Sequence, residues 1–165
     1  MMSELIYPEL SYQVRGVLLE VSNTLGPMLK EAYYRDAIGI GLKKRGLARE
    51  LEKGFEVFYQ GERVGLYYRH PTSVVIPLTG FRTLSGVFCD TNHLGYLYVD
   101  AWLENGKILL ELKVAPTIEP LHQAQAISYL KVTDADLAIV ANYGGASLED
   151  KRLPNFLRQR WPEFV

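Results

Sequence analysis

Apolar and polar positions change period several times along this chain, and each change marks an element. From Glu9 to Asn23, Val14, Val17, Leu18 and Val21 recur at helical spacing and form one stripe. Gly26-Pro27 interrupts the pattern. A second helix is expected from Pro27, a favourable first-turn residue, to Arg45, with Gly46 as its stop. Phe55–Tyr59 and Arg63–Tyr68 read as strands about the turn Gln60-Gly61-Glu62. The stretch from His70 to His93 mixes a β-prone run, Val74-Val75-Ile76, with Pro77, Gly80 and Gly86, and reads as an inserted strand or loop excursion. Leu121–Lys131 reads as a helix. Asp136–Asn142 is a short, nearly all-apolar run suited to a buried strand, ended by Tyr143-Gly144-Gly145. The order of helices, strand meander, helix and strand describes an α/β layer of helices against a small mixed sheet.

Tyr98–Lys113 is the most sharply specified stretch. Asn105-Gly106 is a strong signal for a two-residue hairpin turn, because both central positions need positive φ. Counting outward, Leu103 faces Ile108, Trp102 faces Leu109, Ala101 faces Leu110, and Asp100 falls opposite Glu111. Val99, Ala101, Leu103, Ile108, Leu110, Leu112 and Val114 then share one apolar face. A one-residue slip would bury the charges, so the register is well specified. Opposed residues lie roughly 4.5–5.5 Å apart at Cβ. Two carboxylates that close repel each other unless a proton or a metal ion sits between them. Lys113 returns to the same face two residues past Glu111. A structural charge network, two acids neutralised by one lysine on a solvated face, accounts for the same pattern.

Composition narrows the setting. The 165 residues are enough for one domain with a real core, and 48% hydrophobic with 22% charged residues is ordinary for a globular protein. A net charge of -1 gives no global footprint for nucleic acid or membrane, so phosphate binding has to come from local patches. A single cysteine, Cys89, excludes an intrachain disulfide and fits a reducing compartment. No apolar run approaches the ~20 residues of a membrane span, and the first residues lack a signal-peptide layout; a cytoplasmic location is expected. Lys43-Lys44-Arg45 and the tail with Lys151, Arg152, Arg158 and Arg160 are candidate rims of a phosphate-binding cleft, or solvated faces. Phe81, Phe88 and Tyr96 can stack on bases, or cover core or a dimer interface. Cys89, His70 and His93 lack close-set zinc spacing.

The element order, with Asp100 and Glu111-Leu112-Lys113, resembles the PD-(D/E)XK nuclease superfamily. More narrowly, the chain resembles the small stand-alone GxxExxxR proteins. Leu25–Arg35 carries that pattern with Glu31 and Arg35 in place, although Met28 stands where the pattern has glycine. His122–Lys131 resembles the helix after the catalytic strand, with Gln125 and Tyr129 as a Q-x-x-x-Y pair, and Val140–Gly144 resembles the last strand. The resemblance implies a restriction-endonuclease-like α/β core over residues 1–165 as a single domain, with an insertion at about residues 69–95.

It also implies a metal-dependent nuclease hydrolysing phosphodiester bonds, with DNA as the expected partner. Mg²⁺ or Mn²⁺ would lie on Asp100, Glu111, Glu31 and the Leu112 carbonyl. Lys113 and Gln125 would act beside the attacking water, and Arg35 and Tyr129 would contact phosphate. Taken by itself, Glu31–Arg35 is also an ordinary helix ion pair, worth about 0.3–0.5 kcal/mol. Gln125 and Tyr129 also fit the polar edge of an amphipathic helix. His122, on the same side, is expected to be a structural or surface residue. A catalytically silent binding module for nucleic acid or protein is the alternative, and an insertion-driven homodimer fits either.

Overall fold

The computed structural model describes residues 6–64 and 96–156. Expectations for residues 65–95, including the insertion, Cys89, Phe81, Phe88, His70 and His93, lie outside the described residues, as do Arg158 and Arg160. Two compact units divide the chain, one from Met1–Lys53 with Val99–Val165 and one from Gly54–Tyr98.

In the first unit, α1 (Pro8–Leu25) and α2 (Glu31–Lys44) pack together. The predicted stripe of α1 is fully realised: Val14, Val17, Leu18 and Val21 are all buried. They meet Tyr34, Ile38 and Leu42 of α2 and one face of the sheet. β1 (Arg49–Tyr59) runs from this unit into the second, where it pairs with the antiparallel β2 (Glu62–Val64). Four more strands are β3 (Tyr96–Leu103), β4 (Ile108–Lys113), β5 (Leu137–Asn142) and β6 (Glu149–Pro154). They follow β1 across the sheet in chain order. β3 and β4 are antiparallel, β4 and β5 parallel, and β5 and β6 antiparallel. A parallel pair needs a crossover, supplied here by α3 (Pro120–Thr133).

Period-two alternation separates the layers. Ala101, Leu103, Ile108, Leu110, Leu112, Leu137, Ile139 and Ala141 join the core shared with α1 and α2. The intervening Trp102, Leu109, Ala138 and Val140 are also buried. α3, with buried Ala126 and Leu130, packs against β5 and β6. β5 is buried at every position, as a central parallel strand should be.

The hairpin follows its expected register, with Ala101↔Leu110, Trp102↔Leu109 and Leu103↔Ile108. Asn105 at φ 55 and Gly106 at φ 97 both take positive φ, and the Lys107 amide donates to the Glu104 carbonyl. Gly106 also has no room for a side chain, since a Cβ would lie 2.5 Å from the Trp102 ring.

Three expectations change. α2 starts at Glu31 instead of Pro27, because Gly26–Leu29 is tied to other partners. Met28 N–H donates to the Tyr143 carbonyl (3.0 Å), Leu29 N–H to the Tyr34 hydroxyl (3.0 Å), and that hydroxyl to the Gly26 carbonyl (2.7 Å). β1 begins six residues earlier than Phe55, at Arg49. The basic stretch at Lys151-Arg152 belongs to an edge strand, β6.

Met28 pays a backbone strain at this junction: its φ is 68, a left-handed conformation that disfavours a Cβ, and its side chain is exposed. Met28→Gly is therefore expected to raise stability by about 0.5–1 kcal/mol, seen as a higher urea midpoint at unchanged slope. A lower midpoint would show that the Met28 side chain contributes more than its conformation costs.

Candidate active site

β3 and β4 present the central acids. The ladder runs outward from the turn to Ala101↔Leu110 and stops one rung short of the expected Asp100–Glu111 pair. At that point the Asp100 carboxylate replaces the strand: its Oδ2 accepts from the Leu112 amide at 2.8 Å. Glu111, 5% exposed, ion-pairs through Oε1 with Lys113 Nζ at 2.8 Å, and the lysine side chain is itself largely covered. Glu31, the first residue of α2, accepts from the Val114 amide at 3.2 Å. Arg35, one turn on, lies 3.7 Å from Asp100 Oδ1 and 3.0 Å from Glu52. On α3, Gln125 Nε2 donates to the Tyr129 hydroxyl at 2.6 Å.

These contacts bring together most of what the hairpin register and the family resemblance suggested. Asp100, Glu111, Lys113, Glu31 and Arg35 share one neighbourhood, and Leu112 enters it through its backbone. Tyr129 feels the charges of Glu111, Lys113 and Asp100, so α3 borders the same cluster. His122 is a capping residue instead: its Nδ1 accepts from the Glu119 amide at 3.1 Å and completes a capping box at the start of α3. Two members of the supposed basic rim hold the fold. Arg45 donates to the Gln13 carbonyl at 2.8 Å and to Glu20 at 3.2 Å. Arg152 donates to the Ile6 carbonyl and the Ser11 hydroxyl.

Glu52 was not anticipated from the sequence. It sits in β1 at φ 48, a left-handed residue inside a strand, and directs a third carboxylate toward Arg35. Its local sequence, Arg49-Glu50-Leu51-Glu52-Lys53, looks like a solvated charge run, and only the strand assignment would have singled it out.

Electrostatics at the cluster are those of too many acids in too little water. Burial first, then the charges of Asp100 and Glu31, push the Glu111 carboxyl up to about 7, against the pull of Lys113. Burial and the Glu31 charge also raise Asp100, against its Leu112 hydrogen bond, Arg35 and Lys113. Burial works to lower the Lys113 ammonium, yet its bond to Glu111 and the surrounding carboxylates outweigh it and raise the pKa. Lys113 thus stays charged across the neutral range.

A donor set of this kind suits a hard divalent cation, which would relieve the repulsion that burial intensifies. Among the described residues, no three acidic, histidine or cysteine side chains form a ready-made metal cage. Asp100 uses one oxygen on the Leu112 amide of β4 and Glu31 one on the Val114 amide just past it, so cation binding would draw on their remaining oxygens.

A strand meander crossed by one helix, with two acids and a lysine on adjacent strands, defines a restriction-endonuclease-like α/β protein. The profile of the PD-(D/E)XK nuclease superfamily matches residues 8–76 and 83–153, and the chain belongs to that superfamily, whose members are typically nucleases. No curated protein matches the sequence. Among solved structures, the chain is similar to one described as "Crystal structure of SSO0001", at 17% identity and a TM-score of 0.40. The match covers 88% of this chain and 61% of that one, so this chain spans about three fifths of its neighbour's length. Among the described residues, no helix is long and apolar enough to cross a membrane.

The raised Glu111 carboxyl has a consequence for stability. Folding favours its protonated form, so its contribution is fully present below pH 4.5 and is lost as pH rises through about 7. Metal-free protein is expected to lose up to about 3 kcal/mol from this group over that window. Urea denaturation at both ends of the window should show a flatter dependence in Glu111→Gln. An unchanged slope would mean that Glu111 ionises normally.

Proposed function

We propose that this chain is a metal-dependent nuclease of the GxxExxxR type, hydrolysing phosphodiester bonds in DNA. The observation that carries the reading is the Asp100–Glu111–Lys113 cluster, in which two covered acids have raised proton affinity and one of them, Glu111, is tied to Lys113 at 2.8 Å. Membership of the superfamily supports it. Glu31 and Arg35 in the motif positions, with their links to Val114 and Asp100, support the narrower family.

Asp100, Glu111, the Leu112 carbonyl and Glu31 would hold Mg²⁺ or Mn²⁺. In an extended strand the N–H and C=O of one residue share an edge, so the Leu112 carbonyl lies on the edge where Asp100 meets its amide. A cation bound there supplies an acidified water and draws charge from the phosphate.

The chain's own residues do the rest. Lys113, held by Glu111, places a permanent positive charge where the phosphoryl oxygens gain negative charge. A water oxygen adds to phosphorus and gives up a proton to solvent, the bond to one sugar oxygen breaks, and the departing oxygen takes up a proton from solvent. Glu111 would hold the cation as a carboxylate and keep Lys113 in place through its ion pair. Gln125 fixes the Tyr129 hydroxyl, which would bind a phosphate oxygen or orient the water. Arg35 would bind the backbone by exchanging Glu52 for phosphate.

Calorimetric titration with Mn²⁺ or Mg²⁺ should show binding in the wild type that vanishes in Asp100→Asn. Lys113→Ala is expected to keep the fold and lower DNA cleavage by at least about 100-fold. A folded Lys113→Ala protein that still cleaves would refute the assignment. Metal-independent DNA retention without cleavage would favour the silent module.

A further inference from the structure

Past Leu110, β4 loses its partner strand on one side, and past Lys113 it loses the other. Backbone groups alternate between the two edges of a strand. Leu112 and Val114 present their amides to one edge, where Asp100 and Glu31 take them. Lys113 and Ala115 face the other edge. The Lys113 carbonyl accepts from the Tyr143 amide at 2.8 Å. Ala115 needs the next rung, but β5 ends at Asn142.

The Asn142 side chain makes that rung. Its Oδ1 accepts from the Ala115 amide at 2.9 Å, and its Nδ2 donates to the Ala115 carbonyl at 2.8 Å. The same Oδ1 accepts from the Gly144 amide at 3.1 Å, which fixes the amide group in its own loop. Asn142 is 1% exposed and is paired in register with Lys113. The fit leaves no slack: a Cβ on Gly144 would stand 2.1 Å from the Ala115 carbonyl oxygen.

We infer that Asn142 is a positioning residue for Lys113 and Glu31. By holding Ala115 it extends β4 by one rung after its strand partners have ended. Residues 113 and 114 are then clamped on both sides. Lys113 is kept in strand geometry beside Glu111, and the Val114 amide is kept aimed at Glu31. The inference deepens the nuclease reading and rests on it for its effect on rate. The geometric part, the aim of the Val114 amide, can be measured without catalysis.

The test compares Asn142→Ala with Asn155→Ala. Asn155 is another buried asparagine holding backbone, with Nδ2 on the Ala135 carbonyl at 2.8 Å, and it lies outside the cluster. Under conditions where both variants are folded, Asn142→Ala should lower kcat at least tenfold with KM within threefold. It should also speed hydrogen exchange of the Val114 amide at least tenfold. Asn155→Ala should leave both within twofold. Asn142→Asp keeps an oxygen for both amides and should recover part of each loss; it carries the comparison if Asn142→Ala does not fold. Equal losses in kcat for Asn142→Ala and Asn155→Ala, or kcat within threefold of wild type in Asn142→Ala, would overturn the inference. If the wild type cleaves no substrate, the nuclease reading fails, and unchanged Val114 exchange in Asn142→Ala would then overturn the positioning role as well.

Discussion

The end of β4 needs hydrogen-bond partners that the sheet does not provide, and meeting that need organises the site. Buried backbone groups are almost always paired, so a central strand that outruns its neighbours must find substitutes. Here the substitutes come from four places: a carboxylate on β3, a carboxylate at the start of α2, the backbone at the end of β5, and an amide side chain on β5. Each substitute also anchors an element to β4. The acids that gather around Lys113 are thus also the groups that complete the strand's hydrogen bonding. Tyr143 extends the arrangement, since its ring stacks on Tyr34 of α2 at 4.1 Å and its hydroxyl donates to the Leu18 carbonyl of α1.

The charge balance of the cluster opposes folding. Glu111 and Asp100 are covered more than their charge allows, and only Lys113 and Arg35 answer them among the described residues. A structural ion-pair network would be expected to settle its acids below their usual pKa, as Asp100 would be if its amide bond and Arg35 prevailed. Instead burial prevails at both acids, helped by the Glu31 charge at Asp100 and by the Asp100 and Glu31 charges at Glu111. That sets this cluster apart from a solvated charge network, and it is the physical argument for a functional reading. Proteins retain such locally unfavourable arrangements chiefly where they are used.

Much of this was legible in the sequence, because the hairpin specifies itself. Asn105-Gly106 sets the turn, the alternation sets the register, and together they place Asp100, Glu111 and Lys113 before any tertiary contact is known. The α1 stripe and the all-apolar β5 are equally local signals. What was hidden depends on tertiary partners. The start of α2 is delayed by bonds to Tyr34 and Tyr143, which no propensity encodes. β6 looks like a basic tail because edge strands carry charges and end in proline, as Glu149–Pro154 does. Arg45 and Arg152 looked available for phosphate, yet each is engaged by backbone far away in sequence. Asn142 gave no signal at all, since a polar residue ending an apolar strand resembles an ordinary boundary.

The dual use of the carboxylates shapes how substitutions must be interpreted. Replacing Asp100 or Glu31 removes a charge from the cluster and also leaves a backbone amide, of Leu112 or Val114, without its acceptor, so lost activity alone cannot separate the two roles. Lys113 is different: its one described partner is the Glu111 carboxylate, and it supports no backbone group through its side chain. Removing the ammonium would leave Glu111 covered and unpaired, a condition that protonation can relieve because its pKa already lies near 7. The fold should therefore tolerate loss of Lys113 better than loss of Asp100 or Glu31. The chemistry of Lys113 can thus be removed without taking a side-chain hydrogen bond from the backbone that positions it.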